Sequence, residues 1–286
     1  MKDYRLAVHI HIFYKHMWKE IKSYLNNITI PYDLYVTLVD DDKNLISDIK
    51  IFHKEAKVWI VENRGYDVGP FIDFLNKINL NDYDYILKLH TKGHSGKNKF
   101  TDLFKERYVY FEHKDLWNDL LIKSLVGTKN IFEKNLSHFS KDEKLGMIGS
   151  KYLICNLSKS YKKSLPQIPG LKYPKASDIK FIAGTMFMVK SPLLQPIKDN
   201  FKISNFEPTD GKVKDKALAH YIERLFGCVV LSQGCKIKGF DKSWIMRIIQ
   251  PLNFAKKFIF DFTKTCQGYY KIKIFRIQIL KFKELW

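Results

Sequence analysis

Apolar residues in the first third of the chain follow two alternating rhythms. RLAVHIHIF (Arg5 to Phe13) is a short, nearly continuous apolar run of the kind a buried strand has. KHMWKEIKSYL (Lys15 to Leu25) instead places Met17, Trp18, Ile21 and Leu25 on one helical face, and Pro31 closes the connection. YDLYVTLV (Tyr32 to Val39) is a second strand and runs into Asp40-Asp41-Asp42. AKVWIV (Ala56 to Val61) is a third and ends at Glu62-Asn63-Arg64-Gly65. Val68 to Ile78 has helical spacing and tolerates Pro70 in its first turn. Tyr83 to Leu89 is a fourth strand, with Lys88 alternating to the face opposite Leu87 and Leu89. This alternation predicts βαβ units and a mostly parallel sheet.

The remaining pattern is less regular. Residues 101–145 read as helical and charged, with Phe104, Tyr108, Leu116, Trp117, Leu120 and Leu121 facing the core. Met147 to Ile154 reads as a short strand. Residues 156–179, rich in Lys, Ser and Pro, read as a mobile loop. FIAGTMFMV (Phe181 to Val189) is a strand interrupted at Gly184, Lys214 to Phe226 a helix, and Val229 to Ser232 a final short strand. Past residue 240 the character changes. Residues 241–286 carry ten Lys/Arg against three acids, interleaved with Trp244, Ile248, Phe254, Phe258, Phe260 and Phe262. Cationic amphipathic segments of this type lie on membrane interfaces.

In an open α/β sheet a ligand sits beyond the carboxyl ends of the strands. Asp40–Asp42, Glu62–Asp67 and His90–His94 all fall at such ends and are expected to converge on one cleft. His9 and His11, alternating along the first strand, read as packed or hydrogen-bonded rather than catalytic. The formal charge of +19 asks for an anionic partner: a phosphorylated substrate, an acidic membrane surface or nucleic acid. Nucleic acid fits poorly, because the basic residues are scattered, no RRM, KH or zinc-finger signature is present, and Asp40–Asp42 would repel phosphate. Cys155, Cys228, Cys235 and Cys266 form no CxxC pair or zinc spacing, which suits reduced cytosolic thiols. With no signal-peptide pattern and no membrane-spanning apolar run, the expected location is the cytoplasm, peripheral on the inner face of the cytoplasmic membrane.

ENRGYDVGPFI, YILKLHTKGH, FIAGTMFMV and DKALAHYIERLFG, in this order, resemble the rhamnan synthesis F family of bacterial polysaccharide enzymes, over roughly Leu6 to Gly227. One departure is that Asp215-Lys216-Ala217 stands where the family pattern has Gly-Thr after the acid. A coarser resemblance is to GT-A-fold glycosyltransferases, whose strands end in Asp-Asp, Asn-x-Gly and Asp-x-Asp where this chain has LVDDD, ENRG and LKLHTK. The implied fold is an α/β, GT-A-like, Rossmann-type nucleotide-sugar-binding domain over residues 1–240, followed by the basic amphipathic segment 241–286. The implied activity is transfer of rhamnose or another hexose from a nucleotide-diphosphate sugar to a lipid-linked glycan, with other polysaccharide-assembly enzymes as possible neighbours. The alternatives are a nucleic-acid-binding protein or a non-catalytic assembly subunit that keeps the fold.

By the same resemblance Asp40 and Asp41 contact the nucleobase or ribose. Asn63, Arg64 and Gly65 line the nucleotide cleft with Asp67, His90, Thr91 and Lys92 sit beside the diphosphate, and Gly184-Thr185 is either a bulge or a place where sugar approaches the backbone. The usual Asp-x-Asp pair holds a divalent cation that neutralises the leaving diphosphate. His-Thr-Lys cannot supply two carboxylates, so Lys92 and Arg64 are expected to neutralise the diphosphate, with Thr91 donating a hydrogen bond. No metal is favoured. The competing reading holds Mn²⁺, Mg²⁺ or Zn²⁺ through His90, His94 or His220 with Asp41 or Asp67. Inversion would need a carboxylate base. Asp215 is the first candidate, with Glu223, Asp210 and His220 behind it; Glu223 and Arg224 read either as a structural or diphosphate-facing pair or, being adjacent on a helix, as a solvated face whose members do not face each other.

Overall fold

The computed structural model describes residues 4–92, 119–157, 161, 164–175, 177–209 and 217–242, together with the backbone of 260–264, 269–275 and 277–283. The chain divides into two compact units, the first holding the described residues up to Asp241 and the second those beyond it.

The first unit is built on β1 (Leu6–Ile12), β2 (Tyr32–Leu38), β3 (Lys57–Ile60), β4 (Tyr85–His90), β5 (Leu145–Ile148), β8 (Phe187–Lys190) and β9 (Lys236–Lys238), in the order β3-β2-β1-β4-β8-β5-β9. The pairs β1–β2, β1–β4, β2–β3 and β5–β9 are parallel, and β8 alone runs against its neighbours β4 and β5. The expected mixed α/β fold with a mostly parallel sheet is therefore present. Every residue of β1 and β4 is buried, as central strands covered on both faces should be.

Helices supply the covering layers. α1 (Trp18–Leu25) buries Trp18, Ile21 and Leu25. α2 (Lys43–Phe52) has no counterpart in the sequence reading. Its start is fixed by Asp42, whose Oδ1 accepts from the Leu45 amide at 3.0 Å. α3 (Val68–Lys77) buries Val68, Phe71, Ile72 and Leu75 at helical spacing. α4 (Lys129–Lys141) sends Phe139 to Tyr85, ring centroids 4.6 Å apart. α5 (Gln195–Asn200) and α6 (Leu218–Ser232) join α3 in the main core, where Phe71 meets Phe187 and Phe226 at 5.9 and 5.5 Å.

Several expectations need correction. The helix expected over Lys214–Phe226 begins at Leu218 among the described residues and runs on through Val229–Ser232, which had read as a strand. Ile222, Leu225, Phe226, Val229 and Val230 are all fully buried. That i, i+3, i+4, i+7, i+8 set keeps the valines helical against their local β preference. Gly227 lets α6 sit on the backbone of β7 (Lys180–Ile182), because a Cβ there would lie 2.0 Å from the Lys180 carbonyl oxygen. The strand expected over Met147–Ile154 is two: β5 ends at Ile148, and β6 (Ile154–Asn156) pairs with β7 in a small antiparallel sheet. In the stretch read as a mobile loop, Leu157, Leu165, Ile168 and Ile179 are buried. There the Tyr173 hydroxyl donates to the Pro166 carbonyl at 2.6 Å and accepts from the Ile168 amide at 3.0 Å. Leu120 and Leu121 are buried as expected, whereas Phe104, Tyr108, Leu116 and Trp117 lie outside the described residues.

In the second unit, β10 (Phe260–Lys264), β11 (Tyr269–Ile274) and β12 (Ile277–Lys283) form an antiparallel sheet. Ile274, Phe275, Ile277 and Ile279 are exposed. Among the described residues no helix is long and apolar enough to cross a membrane.

Candidate functional site

One face of the central sheet carries a polar stripe beneath α3. Register places His9 opposite Lys88, and His11 opposite both Thr37 and His90. The Thr37 hydroxyl bridges the two first-strand histidines, 3.1 Å from His9 Nε2 and 3.0 Å from His11 Nδ1. The His9 ring also stacks on Phe74 at 4.7 Å. Both histidines are thus packed and hydrogen-bonded, as the sequence reading held. Burial, reinforced by the charge on Lys88, pushes His9 well below its usual pKa. His11 falls to about 4 through burial, against the opposing pull of Asp67. Burial takes His90 to about 3, although Asp67 pulls the other way. The three imidazoles are neutral at physiological pH.

Lys88 is the stripe's fixed cation and is fully buried. Its Nζ donates to Asp67 Oδ2 at 2.6 Å and to the carbonyl and hydroxyl oxygens of Thr185, both at 2.9 Å. An ammonium buried without partners would cost several kcal/mol; three acceptors, one of them a carboxylate, satisfy all its N–H groups. Burial still lowers its pKa, opposed by Asp67. Thr185 can present both oxygens because its φ is +54°, after Gly184 at +82°. A β-branched residue in that region is strained, a common mark of a working site.

Asp67 stands at the start of α3 and is about one-fifth exposed. Lys88, the Thr185 hydroxyl and His90 Nδ1 all approach the same oxygen, Oδ2. The histidine comes to 3.4 Å without hydrogen-bond alignment. Burial alone would raise the Asp67 pKa. The charge of Lys88 and the hydrogen bonds from Lys88 and Thr185 outweigh it and hold the carboxyl far below its usual range. The result is a permanently ionised carboxylate locked through one oxygen at the carboxyl ends of parallel strands.

The loop before Asp67 is braced from a distance. The Asn63 side-chain amide donates to the Thr209 carbonyl at 3.1 Å, and the Thr209 amide to the Asn63 carbonyl at 2.8 Å. Arg64 donates to the Phe206 carbonyl at 3.0 Å and pairs with Glu62. The Gly65 amide reaches the Glu207 carbonyl at 3.2 Å. Gly65 has φ +66°, and a Cβ there would lie 2.5 Å from the Phe206 ring, so only glycine closes this brace.

Glu223 joins from α6. Its Oε1 accepts from the Gly184 amide at 2.9 Å, and its Oε2 pairs with Arg224 at 2.9 Å. Of the two readings the structural pair is the one present: the Arg224 guanidinium meets Glu223 and lies over Tyr161, 3.9 Å from the ring centroid. His220 stacks on Tyr66 at 5.9 Å.

The structure thus brings Asp67, Thr185, Gly184 and Glu223 together with His90 in contact at 3.4 Å, and adds Lys88, which was outside the expected set. A charged residue inside the apolar run YILKLH was the available signal. Two expected roles change. Thr91 is buried, and its oxygen accepts from the Phe13 and Tyr14 amides, both at 2.9 Å; it pins that turn instead of facing a diphosphate. Arg64 is committed to Glu62 and Phe206. Asp40 is exposed and pairs with Lys15 at 2.8 Å. Asp41 is exposed beside it, and Lys92 follows at the tip of β4. Among the described residues no group of three or more His, Cys, Asp or Glu side chains is arranged to hold a metal ion. Asp210, Asp215 and His94 lie outside the described residues.

Two relatives, both uncharacterized proteins WxcX of Xanthomonas campestris pv. campestris (strains B100 and ATCC 33913), are 24% identical over 212 residues. The match takes in 71% of this chain and spans 28% of the length of each relative. Among solved structures, S. aureus TarS 1–349 aligns with 78% of this chain and 55% of its own, at a TM-score of 0.42 and 10% identity. The family model for rhamnan synthesis protein F matches residues 1–235, across the strand tips and the brace that build the site. The chain belongs to the rhamnan synthesis protein F family.

Proposed function

We propose that this chain is a GT-A-like glycosyltransferase of cell-surface polysaccharide synthesis, moving a hexose such as rhamnose from a nucleotide-diphosphate sugar to a lipid-linked glycan. The observation that carries this reading is the Asp67–Lys88–Thr185–His90 group at the carboxyl ends of a mostly parallel sheet, in a member of this family. Sugar and ribose hydroxyls need fixed acceptors, and an ionised carboxylate held through one oxygen is such a group. In this reading Asp67 Oδ1 accepts a donor-sugar or ribose hydroxyl, and the backbone at Gly184-Thr185 borders the sugar. Asp40 and Asp41 reach the nucleoside. Lys92, not Arg64, opposes the diphosphate without a required metal. Asp215 serves as base for an inverting transfer, with Glu223 and His220 setting the floor beside it. Residues 241–286 hold the protein at an anionic membrane surface on its cytoplasmic side, each nearby Lys or Arg contributing about 1 kcal/mol.

A thermal-shift measurement with UDP and dTDP, in EDTA and with Mn²⁺ or Mg²⁺, tests the reading. A ligand at about 100 times its Kd adds about 2.7 kcal/mol. Stabilisation in EDTA supports a metal-independent site. Stabilisation only with the cation keeps the transferase and removes the role given to Lys92. Stabilisation by an oligonucleotide but by no nucleotide diphosphate overturns the proposal.

A further inference from the structure

A second polar cluster lies at the other end of the sheet, where β1, β2 and β3 begin. Two hollows of about 310 and 470 Å³ adjoin, sharing Lys57, Asp82 and Tyr83 in their walls, and together make a candidate groove. Its floor is a one-directional hydrogen-bond chain. Burial, with Asp33 and Tyr35 alongside, holds the Tyr83 phenol protonated far above neutral pH. Tyr83 therefore donates to Asp33. That leaves Tyr35 to donate to Tyr83 across 2.6 Å, and Lys57 to donate to Tyr35 at 3.2 Å. The transferase site uses none of these groups.

The lining selects among ligands. Trp59 and Tyr32 are half-buried in the walls, offering apolar ring surface. Trp59 is held in place by its Nε1 donating to Asp73 at 2.7 Å and by Lys77 over its ring at 4.8 Å. The walls also hold acceptors, Asp33 and Asp82, and donors, Lys57 and Asn79. Asp33 is fixed through Oδ2 by Tyr83, and Asn79 donates to Asp82 Oδ1 at 2.9 Å. Arg5 and Lys77 also line the walls, paired with Asp84 and Asp73, so cations and carboxylates are mixed and no ligand of a single charge sign is favoured; an apolar ligand would leave the polar rim unpaired. A neutral ligand that alternates flat C–H faces with dense hydroxyls meets both halves of the lining.

We infer that this groove is a saccharide-binding site, separate from the nucleotide-sugar cleft, which holds a neutral stretch of glycan. The choice of glycan as occupant agrees with the transferase reading, but the groove's chemistry stands without it. The full chain is titrated with neutral tetrasaccharides built from rhamnose and from glucose, following tryptophan fluorescence, which Trp59 reports from within the wall. The expected result is saturable binding by at least one probe at millimolar concentration. Asp82→Ala and Tyr83→Phe are expected to weaken it about tenfold or more while leaving the midpoint shift by UDP or dTDP unchanged. Binding of neither probe overturns the inference. So does binding that these variants leave intact, or that Lys88→Met in the other cleft abolishes while Asp82→Ala does not. Because nucleotide binding is read separately, failure of the groove and failure of the transferase site give different results.

Discussion

Lys88→Met tests the centre of the site most directly. Methionine fills nearly the same volume, so little cavity cost enters. What is lost is the counter-charge to Asp67 at 2.6 Å and two bonds to Thr185 at 2.9 Å. Breaking a buried ion pair by removing one member costs about 3–5 kcal/mol. Asp67 retains the Thr185 hydroxyl and some solvent contact, which places the loss near the lower end, about 3 kcal/mol. For a domain of this size that is a fall in Tm of about 6–12 °C. Removing the stranded charge as well, in Asp67→Asn/Lys88→Met, is expected to return most of the stability, with coupling of about 2 kcal/mol in a double-mutant cycle. The depressed folded pKa of Asp67 fixes the sign of the pH response. Its contribution is complete above an unfolded value near 4 and is lost as pH falls below it, so the gap between wild type and Lys88→Met narrows on acidification. Urea unfolding at pH 7 and pH 2.5 measures all three quantities. A single variant within about 1 kcal/mol of wild type, or a double variant as unstable as the sum of the singles, would refute the assignment of Lys88 and Asp67 as a mutually dependent pair.

Gly65→Ala forces a side chain into φ +66° and against the Phe206 ring. A loss of about 2–4 kcal/mol in chemical unfolding is expected, together with weaker nucleotide stabilisation. His11 and His90, with folded pKa values of about 4 and about 3, should show ring resonances that do not titrate between pH 5 and 8. As pH drops below about 6.5 the unfolded chain takes up protons that the folded imidazoles refuse, so each lowers stability by about 1.4 kcal/mol per pH unit until its folded pKa is reached; a flat stability profile from pH 6.5 to 4.5 would contradict their burial. Glu223→Ala removes the acceptor for the Gly184 amide and should cost about 1–2 kcal/mol. Glu223→Gln keeps an acceptor and should cost less; equal losses in the two variants would mean that the Arg224 pair carries the effect.

The early strands were legible because their cues are local. Polar breaks at Asp40, Glu62 and His90 bound apolar runs, and β2 to β4 end within a residue or two of those breaks. Val229–Ser232 was misread because two adjacent valines favour a strand locally, whereas burial against β5 and α3 decided for helix. Asp67 was legible as a member of the cleft, but not its dependence on Lys88 and Thr185, which lie 21 and 118 residues further along. No periodicity encodes a partner at that distance. Arg64 misled for the same reason: a guanidinium at a strand tip reads as a phosphate ligand until the Phe206 carbonyl is seen to claim it.

The brace between the Asn63–Tyr66 turn and the Phe206–Thr209 segment also sets a timetable for the growing chain. Arg64 and Phe206 are separated by 142 residues, about 7–28 s of synthesis at roughly 5–20 residues per second. Over that interval β1 to β4 have been made, yet Gly65 has no Glu207 to hold it and Lys88 has no Thr185 to receive its protons. A chain stopped before Thr185 therefore carries most of the sheet's parallel strands without the Thr185 acceptors of Lys88, and one stopped before Thr209 still lacks the brace. The brace that fixes the turn before Asp67 is complete only once Thr209 has been synthesised, so the order of synthesis leaves this end of the sheet to be finished last.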